Sequence, residues 1–219
     1  MSQPVFVIAE QVEGVFRKVT FEAISAARPL AEALGAEITA VVLGSGMEDA
    51  SGELGRYGAA KVLVADDAAL ADYTMDAYTD AVAELIGRDQ PVVVLLGATT
   101  QGKELAALLA ARLGVALATD CLALNVENGS VIAKRNIYGG KIVADVALAG
   151  APVIAAIRPN TFSASEAPAA GAVEKVSVQT GAAKTELVGK QLETGKVDLT
   201  EADAIVAGGR GMGGSDYST

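Results

Sequence analysis

The chain has 219 residues, 51% hydrophobic and 20% charged, with one cysteine, no histidine and a net charge of −10. That balance is globular rather than disordered, and the single Cys121 permits no internal disulfide. The lack of histidine removes imidazole catalysis and every Ser-His or Cys-His pair, one cysteine argues against a zinc site, and the acidity argues against a nucleic-acid partner.

The first ten residues have neither a basic n-region nor a small-residue cleavage site. Elsewhere Gly, Thr or charged residues interrupt each apolar run before the length of a membrane span. The expectation is a cytoplasmic chain with no direct membrane insertion.

Taken in order, the elements alternate. Val5 to Ala9 is a continuous apolar run, as in a strand buried on both faces. Phe21, Ile24, Ala27, Ala31 and Leu34 recur at helical spacing, with Pro29 predicting a kink or a break near Arg28 and Gly35 a C-cap. Ile38 to Leu43 reads as a strand, Met47 to Gly55 as a short helix and Lys61 to Ala65 as a third strand. Met75, Tyr78, Val82, Leu85 and Ile86 mark the next helix. Pro91 to Leu96 is a fourth strand, and Leu105 to Leu113 a helix ended by Gly114. Strands separated by helices of this length imply parallel pairing through crossovers.

After about Ala118 the pattern changes. Leu122 to Val126, Val131 to Ile137, Lys141 to Leu148 and Pro152 to Ile157 are strand-like, with Asn128-Gly129 a hairpin signal. They predict an antiparallel extension ending at Arg158. Ser163 to Gly171 is a loop by composition. Val173 to Val178 and Thr185 to Val188 read as further extended pieces, and Lys190 to Thr200 as a connector. A new strand, Ala204 to Ala207, then runs into Gly208-Gly209-Arg210-Gly211. The fold class is α/β, a mostly parallel sheet with flanking helices, Rossmann-type, plus an antiparallel extension.

Several segments could carry chemistry. Gly97 to Glu104 lies between a buried strand and a helix, where open α/β sheets bind ligands. Its helix N-terminus and threonines could hold a phosphate, or Thr99 or Thr100 could simply cap the helix, with Glu104 near its positive end. Gly209, Arg210 and Gly211 could approach a pyrophosphate, or form a flexible tail. Cys121 reads as a small buried hydrophobe, and Glu48-Asp49 and Asp66-Asp67 as solvated surface. Lys134-Arg135 with Arg158 could form a basic spot or be ordinary exposed strand residues.

Together these segments resemble the alpha subunit of electron-transfer flavoproteins. The resemblance rests on Val5 to Glu10, Gly97 to Glu104, Ala118-Thr119-Asp120-Cys121, Tyr138-Gly139-Gly140-Lys141, Ile157-Arg158-Pro159-Asn160 and Val197 to Gly213, in that order along essentially the whole chain. It implies an N-terminal domain over residues 1–190, related to adenine-nucleotide-hydrolase folds, and a connector with the start of an FAD-binding domain over 191–219. It implies Arg210, flanked by Gly209 and Gly211, as an FAD contact, and no catalytic or metal-binding residue. The implied partners are an electron-transfer flavoprotein beta subunit, flavoprotein dehydrogenases such as acyl-CoA dehydrogenases of fatty acid β-oxidation, and a quinone oxidoreductase or another acceptor. Redox chemistry in this family belongs to the flavin, so the expected role is an electron carrier subunit rather than an enzyme.

Members of the family continue for roughly 100 further residues, a typical domain, which carry most of the FAD contacts. The expectation is therefore a truncated subunit that retains FAD poorly, with low order from about Thr194 onward. The alternative is a stand-alone nucleotide-binding module, universal-stress-like, using the Thr99 to Gly102 turn.

Overall fold

A computed structural model of the chain describes every residue except 1, 2, 182, 183, 186, 191–198, 200, 201, 203 and 213–219. The chain divides into two compact units, Met1–Val188 and Gly189–Thr219.

The first unit is built on buried strands. Strands β1 (Val5–Ile8), β2 (Gln11–Val12) and β3 (Val15–Phe16) are followed by helix α1 (Lys18–Leu34) and strand β4 (Ile38–Gly44). A short helix, α2 (Glu48–Ser51), leads through a 3-10 turn to β5 (Lys61–Asp66), α3 (Met75–Asp89), β6 (Val93–Gly97) and α4 (Thr100–Leu113). Then come β7 (Leu117–Glu127), β8 (Ser130–Ile137), β9 (Ile142–Leu148), β10 (Val153–Ile157) and β11 (Ala172–Lys175). One nine-stranded sheet has the order β11-β5-β4-β1-β6-β10-β7-β8-β9, and β2 and β3 form a separate hairpin.

Alternate side chains of each central strand feed opposite cores, as a pleated strand dictates. Val5 and Val7 pack in the core with Ala23, Ile24 and Leu30 of α1. Phe6 and Ile8 pack in the core with Tyr78, Val82 and Leu85 of α3 and Leu105 and Leu109 of α4. The sheet is thus covered on both faces, which explains why β1, β4, β6 and β10 are apolar without alternation. From β11 to β7 all pairs are parallel; β7-β8 and β8-β9 are antiparallel.

Four expectations need correction. The run Pro152 to Ile157 does not belong to the antiparallel extension: β10 lies between β6 and β7 and is parallel to both. Its five residues are all buried, so it carries the contiguous apolar signature of the parallel strands. Helix α1 runs unbroken through Pro29, held on both sides by buried Ala27, Leu30 and Ala31. Thr185, Leu187 and Val188 are not in a strand; β11, over Ala172–Lys175, is the extended piece that pairs, parallel to β5 at the sheet edge.

The fourth concerns the second unit, in which Ala204 to Gly209 form no strand and Arg210–Met212 make a short 3-10 turn. Ile205 and Val206 are exposed there. A strand exists through its partners, and none among the described residues pairs with this run. The order expected to fall from Thr194 lies mostly outside the described residues.

The helix ends follow their sequence signals. Gly35 and Gly114 take left-handed conformations as C-caps of α1 and α4. Asn128 and Gly129, both at positive φ, make the tight turn between β7 and β8, as the dipeptide predicts.

Candidate functional site

In an open α/β sheet the ligand crevice lies beyond the carboxyl ends of the strands, where the winding reverses. Here that point is between β1 and β6. The chain builds outward from β1 to β4 and β5 on one side, then returns to place β6 on the other. The residues that follow these two strands, Ala9-Glu10 and Ala98-Thr99-Thr100, therefore define the crevice.

Thr99 is extended and caps α4, its Oγ1 accepting the Gly102 N–H at 2.9 Å. The same hydroxyl donates to Glu10 Oε2 at 2.6 Å. Glu10 is only 7% exposed. Its N–H donates to Thr20 Oγ1 at 2.8 Å, and the Thr20 hydroxyl donates back to its carbonyl at 2.9 Å. The Arg17 guanidinium lies 3.6 Å from Glu10 Oε1. The backbone packs tightly beneath: a Cβ on Gly102 would stand 1.9 Å from the Gly97 carbonyl oxygen, and one on Gly97 2.5 Å from Val19 Cγ2. The turn between β6 and α4 thus directs its hydroxyl and cap bond inward. Of the two sequence readings, the helix cap describes Thr99; Thr100 is the first residue of the helix.

A second arrangement forms at the far side of the parallel strands. Asp120 sits in β7 at a positive φ of 60°, at an irregular register against β10 and β8. The Arg158 guanidinium grips it in two bonds, Nε to Oδ1 at 2.9 Å and Nη2 to Oδ2 at 2.5 Å. The hydrogen bonds from Arg158 hold the Asp120 carboxyl below the usual carboxylate range, with the charges of Arg158, Lys103 and Arg135 acting in the same direction. Arg135 donates to Thr119 Oγ1 at 3.1 Å, while its Nε is buried without a partner. Asp120, Arg135 and Arg158 line an open cleft of about 660 Å³ with Asn136, Tyr138, Gly139 and Gly140.

The structure therefore brings Arg135 and Arg158 into one basic spot. Lys134 turns to the other face and reaches Asp145 at 3.9 Å. Cys121 is fully buried, and burial pushes its thiol up to about 11, so it is a packed hydrophobe rather than a nucleophile. Asp66 and Asp67 accept backbone N–H groups of Gly46 and Ala69, and Glu48 lies 3.5 Å from Lys175. Among the described residues no group of three or more acidic, histidine or cysteine side chains could hold a metal.

The Gly209 and Gly211 positions are exposed, with nothing within 4 Å of where a Cβ would stand. The Met212 N–H donates to the Gly209 carbonyl at 3.0 Å. Sequence reasoning overlooked Glu10: a lone carboxylate after a strand carries no signal when its partner, Thr99, is 89 residues away.

Residues 5–181 match the family model described as the electron transfer flavoprotein domain. The chain belongs to this family. It is 38% identical over 214 residues to the electron transfer flavoprotein subunit alpha of Syntrophomonas wolfei, covering 96% of this chain and 66% of that one. It is 39% identical over 221 residues to the protein FixB of Clostridium saccharobutylicum, covering 97% and 65%. It is 38% identical over 216 residues to the electron transfer flavoprotein subunit alpha of Bacillus subtilis, covering 97% and 66%. The chain spans about two thirds of the length of these curated relatives. Both arrangements described above, at Glu10-Thr99 and at Asp120-Arg158, lie within the electron transfer flavoprotein domain. Among the described residues no helix is long and apolar enough to cross a membrane.

Proposed function

We propose that this chain is an alpha-type subunit of an electron transfer flavoprotein, an electron carrier that works with a beta-type partner subunit. Collinear similarity to alpha subunits over almost the whole chain is the observation that carries this reading. On it, residues 1–190 are the protein-contacting domain, and 191–219 are the connector and the start of an FAD-binding domain. The electrons pass from flavoprotein dehydrogenases to a quinone oxidoreductase or another acceptor.

Gly209, Arg210 and Gly211 would hold the FAD. The glycines leave backbone N–H groups open to its phosphates, and the guanidinium adds a permanent positive charge. When bound, FAD supplies reversible acceptance and release of electrons. The protein's own task is then to position the cofactor and to dock partners, and none of its side chains is assigned a catalytic role.

The β9 strand supports a docking role. It is an edge strand that exposes Ile142 (48%) and Val143 (56%) on opposite faces, and Tyr138 beside it is 75% exposed. Natural sheets usually blunt such an edge with charge or cover it. We assign this edge to the beta-type subunit. The test is to mix this chain with the beta-type subunit from the same genome and measure the complex by size exclusion. The expected result is a one-to-one complex that Ile142→Asp combined with Val143→Asp weakens at least tenfold. A complex indifferent to both changes would move the interface elsewhere, and no complex at all would overturn the subunit reading.

A further inference from the structure

The switch-point crevice is where this fold class receives an anion, at a helix N-terminus with its free N–H groups and positive dipole end. In this chain an anion is already there. The Glu10 carboxylate, almost wholly buried, accepts the Thr99 hydroxyl at 2.6 Å and lies 3.6 Å from the Arg17 guanidinium. A hydroxyl, a guanidinium and a helix N-terminus are the groups a phosphate would use.

We propose that Glu10 is an intramolecular stand-in for phosphate, which fills the switch-point crevice of this domain and closes it to phosphate-bearing ligands. The backbone fixes the carboxylate there. Thr20 holds both the N–H and the carbonyl of Glu10 through one hydroxyl, and the Arg17 N–H donates to the same carbonyl at 3.0 Å. The crevice floor is equally fixed, because Gly97 and Gly102 pack closer to their neighbours than any side chain would allow. Glu10 is thereby a specificity-determining residue that works by exclusion: the fold keeps the scaffold of a nucleotide-binding domain and spends its anion position on its own side chain. This inference concerns the N-terminal unit alone and stands whether or not the chain has a beta-type partner.

The test is equilibrium dialysis of radiolabelled orthophosphate against the full 219-residue chain and two variants. Glu10→Ala vacates the position while leaving Arg17 and Thr99 in place. Glu10→Gln keeps the volume and loses the charge. The expected result is phosphate binding to Glu10→Ala at least tenfold tighter than to the unchanged chain, with Glu10→Gln, which still fills the position but no longer repels an anion, between the two. Equal affinity in the unchanged chain and Glu10→Ala overturns the proposal, whether both bind or neither does. If Glu10→Ala fails to fold by circular dichroism, Glu10→Ser, which also vacates the position, is read in its place.

Discussion

The parallel strands and the antiparallel extension of one sheet are built to opposite rules. From β5 to β10 the strands are buried on both faces, and the crevice that such a sheet offers is filled by Glu10. From the middle of β7 outward, burial alternates: Ala123, Asn125 and Glu127 are exposed, while Leu124 and Val126 are packed against the core. Beyond them β9 is exposed on both faces. The difference separates scaffold from contact surface. Where helices cover the sheet, sequence is spent on packing; where they stop, the sheet presents a cationic cleft and an apolar edge.

The sharpest way to break that contrast is to truncate one apolar residue in each region. Phe6 of β1 is fully buried between α3, α4 and the sheet. Phe6→Ala is expected to cost about 3–5 kcal/mol, the transfer term plus the cavity left behind. Val143→Ala, at an exposed edge position, is expected to stay within about 0.5 kcal/mol. Urea unfolding of the two variants checks this. Similar losses would mean that the β9 edge belongs to the packed core after all.

A smaller effect tests whether the crevice is part of the scaffold. Thr99→Ala removes both the α4 cap and a donor to the Glu10 carboxylate. A lost cap costs typically about 1 kcal/mol and up to about 2, and the buried carboxylate should bring this site to the upper end of that range. Thr99→Ser keeps the hydroxyl and should recover most of the loss. Equal destabilisation by Ala and Ser would show that the methyl group, and not the hydroxyl, matters.

How much of this was legible follows from how local each signal is. Val5 to Ile8 is readable as a doubly buried strand, because four apolar residues in a row leave no polar face. Asn128-Gly129 announces its own turn. Strand order is not local: β10 has the same apolar signature as β1, yet its place between β6 and β7 depends on partners distant in sequence. The β2-β3 hairpin carries no local signal, because two-residue strands show no periodicity. Ala204 to Ala207 has strand-like residues and no strand, since propensity cannot supply a pairing partner. At the candidate site, the cap at Thr99 was readable from the strand-to-helix junction. The Glu10 bond was not, because it depends on β1 and β6 lying side by side.

The smallest expected effect lies at the boundary between the two regions, in the Asp120-Arg158 pair that ties β7 to the end of β10. Both side chains are more than a third exposed, so solvent screens the pair and its worth is about 0.5–1 kcal/mol. The sign follows from the direction of the shift. The folded state lowers the Asp120 carboxyl, chiefly through the Arg158 hydrogen bonds, so the unfolded chain binds its proton first as pH falls. The contribution is therefore fully present above the unfolded value of about 3.9 and is lost as pH drops through the lower folded value. Asp120→Asn should be less stable than the unchanged chain at neutral pH, and the gap should narrow below about pH 4. Denaturant midpoints of the two chains, compared between neutral and acid pH, measure this. A gap that stays constant across the range would mean that Asp120 acts through backbone geometry at its positive φ, which Asn also tolerates, and not through its charge.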